Sequence, residues 1–130
     1  AMKKLPILTQ STPMLVCGED LGMVPDCVPW VMDQLQILSL EIQRMPKDPK
    51  NEFGHVYAYP FRSVCTIGTH DMSTLRGWWE EDKAVTEYFY HNELGYWGDV
   101  PQKAPGWLCQ DIIIRHLQSP SMLCILNFHE

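Results

Sequence analysis

The sequence predicts an α/β fold on a parallel sheet, a partial (β/α)8 barrel of the TIM type. Three observations carry that expectation. Short apolar runs alternate with stretches of helical periodicity, the pattern of strand–helix–strand units. Two of the runs end in carboxylates, which is how parallel strands deliver chemistry to the mouth of a barrel or open sheet. The 130 residues and four expected strands come to about half of a barrel of roughly 250 residues. A single domain, 1–130, is expected, with no separate second domain.

The elements follow in chain order. Residues 1–13 read as the tail of a helix or a linker, closed by Ser11-Thr12-Pro13. Met14–Cys17 is an apolar run and the first expected strand. Val24–Leu38 is expected to be helical, with Val28, Val31, Met32, Leu35 and Leu38 at helical spacing and Pro25 suited to a first turn. Leu38–Arg44 alternates apolar and polar residues, as a strand does. Met45–Phe61 is a long irregular segment with three prolines, and such a loop in a compact domain is usually functional. Ser63–Ile67 is a second short apolar strand. Helical stretches are expected over Thr74–Glu81, Lys83–Leu94 and Trp107–Leu117, the last with an apolar stripe that counts Trp107 into the core. Met122–Phe128 is the final strand.

Composition sets further bounds. With 45% apolar and 20% charged residues, the chain can form a core. A net charge of −6 without a basic run argues against nucleic acid as a partner. No apolar stretch reaches the ~20 residues that span a bilayer, so no membrane partner is expected. Five cysteines without a Cys-x-x-Cys pair, three of them (Cys17, Cys65 and Cys124) in apolar runs, read as buried free thiols in a reducing, cytoplasmic compartment. Ligand spacing for a metal is absent, and His129-Glu130 is no metal motif.

Gly18-Glu19-Asp20-Leu21-Gly22 is the stretch around which the chain is organised. The carboxylate pair lies between glycines that allow a tight turn or a close approach to a ligand. Gly68-Thr69-His70-Asp71 repeats the logic after the Ser63–Ile67 run. Glu19 and Asp71 would both lie at carboxyl ends of parallel strands and face one pocket. Two carboxylates in different environments suit glycosidic chemistry: one is held protonated for the leaving oxygen, the other stays charged beside an oxocarbenium-like centre. His70 could donate to a sugar hydroxyl. Both pairs also suit a second role, as helix N-caps beside a structural histidine, and spacing alone does not separate the two.

The two motifs together, Gly18–Gly22 and Gly68-Thr69-His70-Asp71-Met72-Ser73-Thr74-Leu75-Arg76-Gly77-Trp78-Trp79, closely resemble the 4-α-glucanotransferases, the amylomaltase or disproportionating-enzyme family of retaining barrel enzymes. The segments Leu40–Pro46 and Trp78–Asp82 resemble the branch with bacterial enzymes and the plant cytosolic disproportionating enzyme. The resemblance runs from about Leu5 to Phe128. It implies strands five to eight of the family's barrel, the C-terminal half. It implies Glu19 as general acid/base, Asp71 as the transition-state-stabilising aspartate and His70 as a ligand of the same sugar ring. Asp20 is then a contact to substrate or a support behind it, and Arg76 a support for the acids through a bidentate pair; a surface helix arginine is an equal reading.

The implied reaction moves glucosyl or maltosyl units between malto-oligosaccharides or glucan in starch, glycogen or maltose metabolism. It needs neither a metal nor an organic cofactor. The family's nucleophile aspartate lies in an Arg-x-Asp motif that this sequence lacks and that is expected upstream of Ala1. The chain is therefore expected to be inactive alone and to need the N-terminal half of the barrel. Two alternatives are a glycoside hydrolase of the same clan and a non-catalytic glucan-binding fragment. Among the aromatics, Tyr57 and Tyr59 in the Met45–Phe61 loop are the candidates for stacking on sugar, against core packing for each.

Overall fold

The computed structural model describes residues 1–129; Glu130 of the His129-Glu130 end lies outside them. Its centre is a parallel sheet of three strands in sequence order: β1 (Ser39–Ile42), β2 (Ser63–Thr66) and β3 (Leu123–Ile125). Ser39 stands opposite Ser63, and Val64 opposite Leu123. A parallel bridge between Cys17 and Leu38 adds a fourth strand position beside β1. The alternation of strands and helices read from the sequence is thus present as a parallel α/β arrangement.

The expected strand Met14–Cys17 is reduced to that bridge. The Leu38 N–H donates to the Val16 carbonyl at 2.9 Å, and the Gly18 N–H to the Leu38 carbonyl at 2.8 Å. Met14 and Leu15 are exposed. With a neighbour on one side only, this run gains little from extending its pairing. The final strand is likewise shorter than Met122–Phe128, because Asn127 has turned its side chain back to the Gly68 carbonyl.

Proline chemistry sets the helix starts. Helix α1 (Leu5–Gln10) carries Pro6 in its first turn, and so does α2 (Val28–Leu35) with Pro29. A proline lacks the N–H and clashes with the preceding turn, so it is tolerated only there. Helix α2 therefore starts four residues later than the expected Val24, and it ends at Gln36 in the left-handed region, φ 55°. Helix α3 (Leu75–Glu81) is capped by the Thr74 hydroxyl, which accepts from the Gly77 N–H at 3.2 Å. Helix α4 (Lys83–Tyr88) starts on Asp82, whose carboxylate accepts from the N–H groups of Ala84 and Val85. The helical stretch expected to run to Leu94 changes at Phe89 into a π turn over Phe89–Glu93. Helix α5 (Gly106–Leu117) follows.

The main core lies between the end of β2 and helices α3 to α5. Ile67, Leu75, Trp79, Phe89, Leu108 and Ile112 are buried there with Phe53. Phe89 meets Phe53 and Trp78 edge-on at centroid distances of 4.8 and 5.3 Å, the packing that aromatic quadrupoles prefer. The Trp79 indole N–H is satisfied by the Pro101 carbonyl at 2.8 Å. Trp107, counted into this core from its helical spacing, is half exposed and meets Tyr96 edge-on; it stands on the first turn of α5, beyond the core's rim.

The sheet's two faces differ. Glu41, Cys65 and Cys124 share one row on the face covered by α5, where the Cys65 sulfur lies 3.4 Å from the Ser119 hydroxyl. Leu123 and Ile125 alternate to the other face and are exposed. The expectation that the strand cysteines are buried holds for Cys65 and is corrected at Cys17, which is exposed like Cys27. No helix among the described residues is long and apolar enough to cross a membrane.

Candidate active site

Parallel strands carry their carboxyl ends to one side of a sheet, so the turns after Cys17, β1 and β2 converge. Glu19, His70 and Asp71 line one open cleft of about 400 Å³ together with Leu21, Gly22, Met45, Thr69 and Met72. Three of the residues singled out in the sequence are thus brought together, although 51 positions in the chain separate an acid of one turn from the histidine of the other.

The two neighbouring acids of the first turn have different fates. Asp20 is buried. Its carboxylate accepts from the Leu40 N–H at 2.9 Å and from the Lys47 ammonium at 2.6 Å. Lys47 also reaches Glu41 at 3.0 Å. Asp20 therefore ties the turn to β1, and Glu19, exposed, faces the cleft. The flanking glycines are required by the backbone. A Cβ on Gly18 would stand 3.1 Å from Met32 and 3.2 Å from Ile37, and Gly22 has φ +74°, a conformation that side chains resist.

The second turn is held from three directions. Arg44, just past β1, donates to the Ser73 carbonyl at 2.9 Å and to the Ile67 carbonyl at 3.0 Å, with its guanidinium 5.4 Å from the Trp78 ring centroid. The Gly68 carbonyl accepts from Thr66 at 3.0 Å and from the Asn127 amide at 2.8 Å. The Asp71 N–H donates to the Thr69 hydroxyl at 3.4 Å. On this frame His70 and Asp71 stand in solvent, with Nε2 and Oδ2 3.2 Å apart. The arrangement presents one separate carboxylate opposite a paired histidine and carboxylate, all open to a ligand.

The other expected site residues fall elsewhere. Arg76 is exposed on the first turn of α3 and does not line the cleft; Arg44 is the guanidinium behind the His70–Asp71 turn. Sequence reasoning missed Arg44, whose hydrogen bonds to the Ile67 and Ser73 carbonyls leave no signature in the sequence. It missed Asn127 for the same reason. Tyr57 and Tyr59 are both outside the cleft. Tyr57 is exposed and stacks on His55. Tyr59 is buried against Val56 and Cys65, and burial, with Glu41 nearby, holds its phenol well above the usual range.

Comparison with known proteins sets this geometry in a family. A 4-alpha-glucanotransferase family model matches residues 2–130. The chain is 43% identical over its whole length to the 4-alpha-glucanotransferase DPE2 of Oryza sativa subsp. japonica, of which it covers 14%. It is 40% identical over 65 residues, half of the chain and 9% of the relative, to the 4-alpha-glucanotransferase of Haemophilus influenzae. The matched part thus spans less than a fifth of the length of each of these curated relatives, 14% of the first and 9% of the second. Its fold resembles amylomaltase from Streptococcus agalactiae in complex with acarbose, with a TM-score of 0.69 at 14% identity over 94% of this chain and 24% of that one. It also resembles amylomaltase from Corynebacterium glutamicum, with a TM-score of 0.64 at 18% identity over 94% of this chain and 22% of that one. A family match over nearly every residue, with that fold beneath it, leads to one conclusion: this chain belongs to the 4-alpha-glucanotransferase family.

Proposed function

We propose that the chain carries the acid side of a retaining 4-α-glucanotransferase site, corresponding to strands five to eight of the barrel. The observation that carries this reading is the convergence of Glu19, His70 and Asp71 on one cleft. Glu19 protonates the glycosidic oxygen of a donor malto-oligosaccharide as its C1–O bond breaks, while a carboxylate nucleophile bonds to C1. The Glu19 carboxylate then takes the proton from the 4-hydroxyl of an acceptor glucan as that oxygen displaces the nucleophile. Asp71 keeps its charge beside the oxocarbenium-like centre, and His70 holds a hydroxyl of the same ring. Asp20 supports Glu19 from behind.

A double displacement needs a nucleophile in addition to these two carboxylates. Among the described residues no further carboxylate lines the cleft. We infer that the nucleophile comes from the rest of a longer protein, which agrees with the small share of its relatives that the chain spans. On this reading the 130 residues bind glucan without turning it over. Five free thiols suit a cytoplasmic setting.

Incubation with maltotriose tests the proposal, with products separated by chain length. The full-length protein should yield glucose plus longer maltodextrins, and the 130-residue chain neither. Glu19→Gln in the full-length protein should lower turnover by orders of magnitude with an unchanged unfolding midpoint. Near-normal turnover of that variant would sink the assignment. Glucose without longer chains would point to a hydrolase.

A further inference from the structure

Tyr57, a candidate for stacking on sugar, lines a different depression. It lines a cleft of about 240 Å³ with Gln43, Val56, Glu93, Arg115 and Gln118, none of which lines the cleft of Glu19. The floor comes from the 3-10 turn Val56–Ala58, which packs on α5. We propose that this cleft is a second, non-catalytic glucan site, which seats one or two rings of a chain whose reacting end lies at Glu19. The proposal rests on the glucanotransferase reading for its ligand class.

Four features argue for a sugar here. Tyr57 is 78% exposed, and its ring has one aromatic neighbour. It stacks on His55 at a centroid distance of 5.6 Å and 25°, and His55 is fixed in turn by Glu93 at 3.3 Å. A large exposed ring stacked in this way is a platform for the apolar face of a pyranose. The polar rim carries both signs and two amides: Glu93, Arg115, Gln43 and Gln118. Such a rim selects neither an anion nor a cation, and it offers both donors and acceptors to hydroxyl groups.

The Arg115 guanidinium is already positioned by Asp111 at 2.9 Å and by the Leu94 carbonyl at 3.0 Å, so ordering it on binding costs little. One layer below, the Tyr59 hydroxyl is buried without a hydrogen-bond partner among the described residues. Gly54 brings it beside Gln43: a Cβ there would lie 3.2 Å from that hydroxyl and 3.4 Å from the Gln43 Cα. An unsatisfied buried hydroxyl is costly, and a water buried beside Gln43 is its natural partner. The volume is below the roughly 300–1,000 Å³ of pockets that enclose a whole ligand, which fits a grip on part of a long polymer.

The test is migration of the full-length protein through native gels containing glycogen, with maltoheptaose as competitor. Tyr57→Ala should weaken retention roughly three- to tenfold, and Tyr57→Phe, which keeps the ring, should retain it. Trp97→Ala, an exposed aromatic that lines neither cleft, should leave retention in place. Full retention by Tyr57→Ala would overturn the proposal, as would absence of retention in the unaltered protein or an equal loss in Trp97→Ala. The maltotriose assay reports separately on transfer, so failure of this site and failure of the glucanotransferase reading are told apart.

Discussion

At the scale of single residues, the two neighbours Glu19 and Asp20 show how one turn divides its labour. Sequence adjacency offers two equivalent carboxylates. The structure makes one the anchor of β1, through the Leu40 N–H and Lys47, and leaves the other open. Asp20→Ala strands a backbone donor and removes one of the two partners of Lys47, so it should cost about 1–3 kcal/mol in urea unfolding. Arg44→Ala removes the clamp on the ends of the His70–Asp71 turn; faster amide exchange over 68–73 with intact exchange in α5 is the expected signature. The thiols divide as well. Cys124 is pushed up to about 12 by burial and by Cys65 beside it, against 9.0 for an unperturbed thiol. A folded-state value above the unfolded one stabilises fully below the unfolded pKa. That stability is lost as pH rises from about 9 towards 12. Cys124→Ala should flatten this alkaline decline in unfolding midpoints measured across that range. The convergence of Glu19, His70 and Asp71 on one cleft was legible because polar residues at the ends of short apolar runs form a local pattern. Arg44 and Asn127 were not, since a side chain that serves distant carbonyls leaves no pattern around itself.

At the scale of elements, helices with strong local signals stood out in the sequence. Helix α5 starts only one residue before the expected Trp107, because its apolar stripe and the following Ser119-Pro120 both act locally. The start of α2 differs from the expected Val24. Pro25 and Pro29 both suit a first turn, and only packing decides that Pro29 occupies it. The first strand is shorter than expected for a different reason: an apolar run looks the same at a sheet's edge as at its centre, and edge position is a property of topology. Asp82 joins α3 to α4 as a cap with two acceptor contacts. Asp82→Ala should destabilise by about 1 kcal/mol in thermal unfolding, and Asp82→Ser should recover most of it.

At the scale of the whole molecule, the sheet is open. Strand β3 pairs with β2 alone among the described residues and presents Leu123 and Ile125 to solvent. Such an edge invites pairing with another chain. The 130-residue chain should therefore self-associate with rising concentration in sedimentation experiments, and Ile125→Lys should reduce this. The sheet has a second property, set by the path between its strands. Ser63 meets Ser121 across 58 positions, and Asn127 reaches Gly68 across 59. Everything from α3 to α5 lies inside that excursion, so closing β3 early would carry a large loss of chain entropy before any contact repays it. The order of assembly follows: helices first, β3 late, and the Gly68 turn last to be locked. In a refolding time course sampled by brief amide labelling, Leu108 and Ile112 should be protected well before Cys124. The turn that holds His70 and Asp71 should lag behind the helices and mature with the final strand.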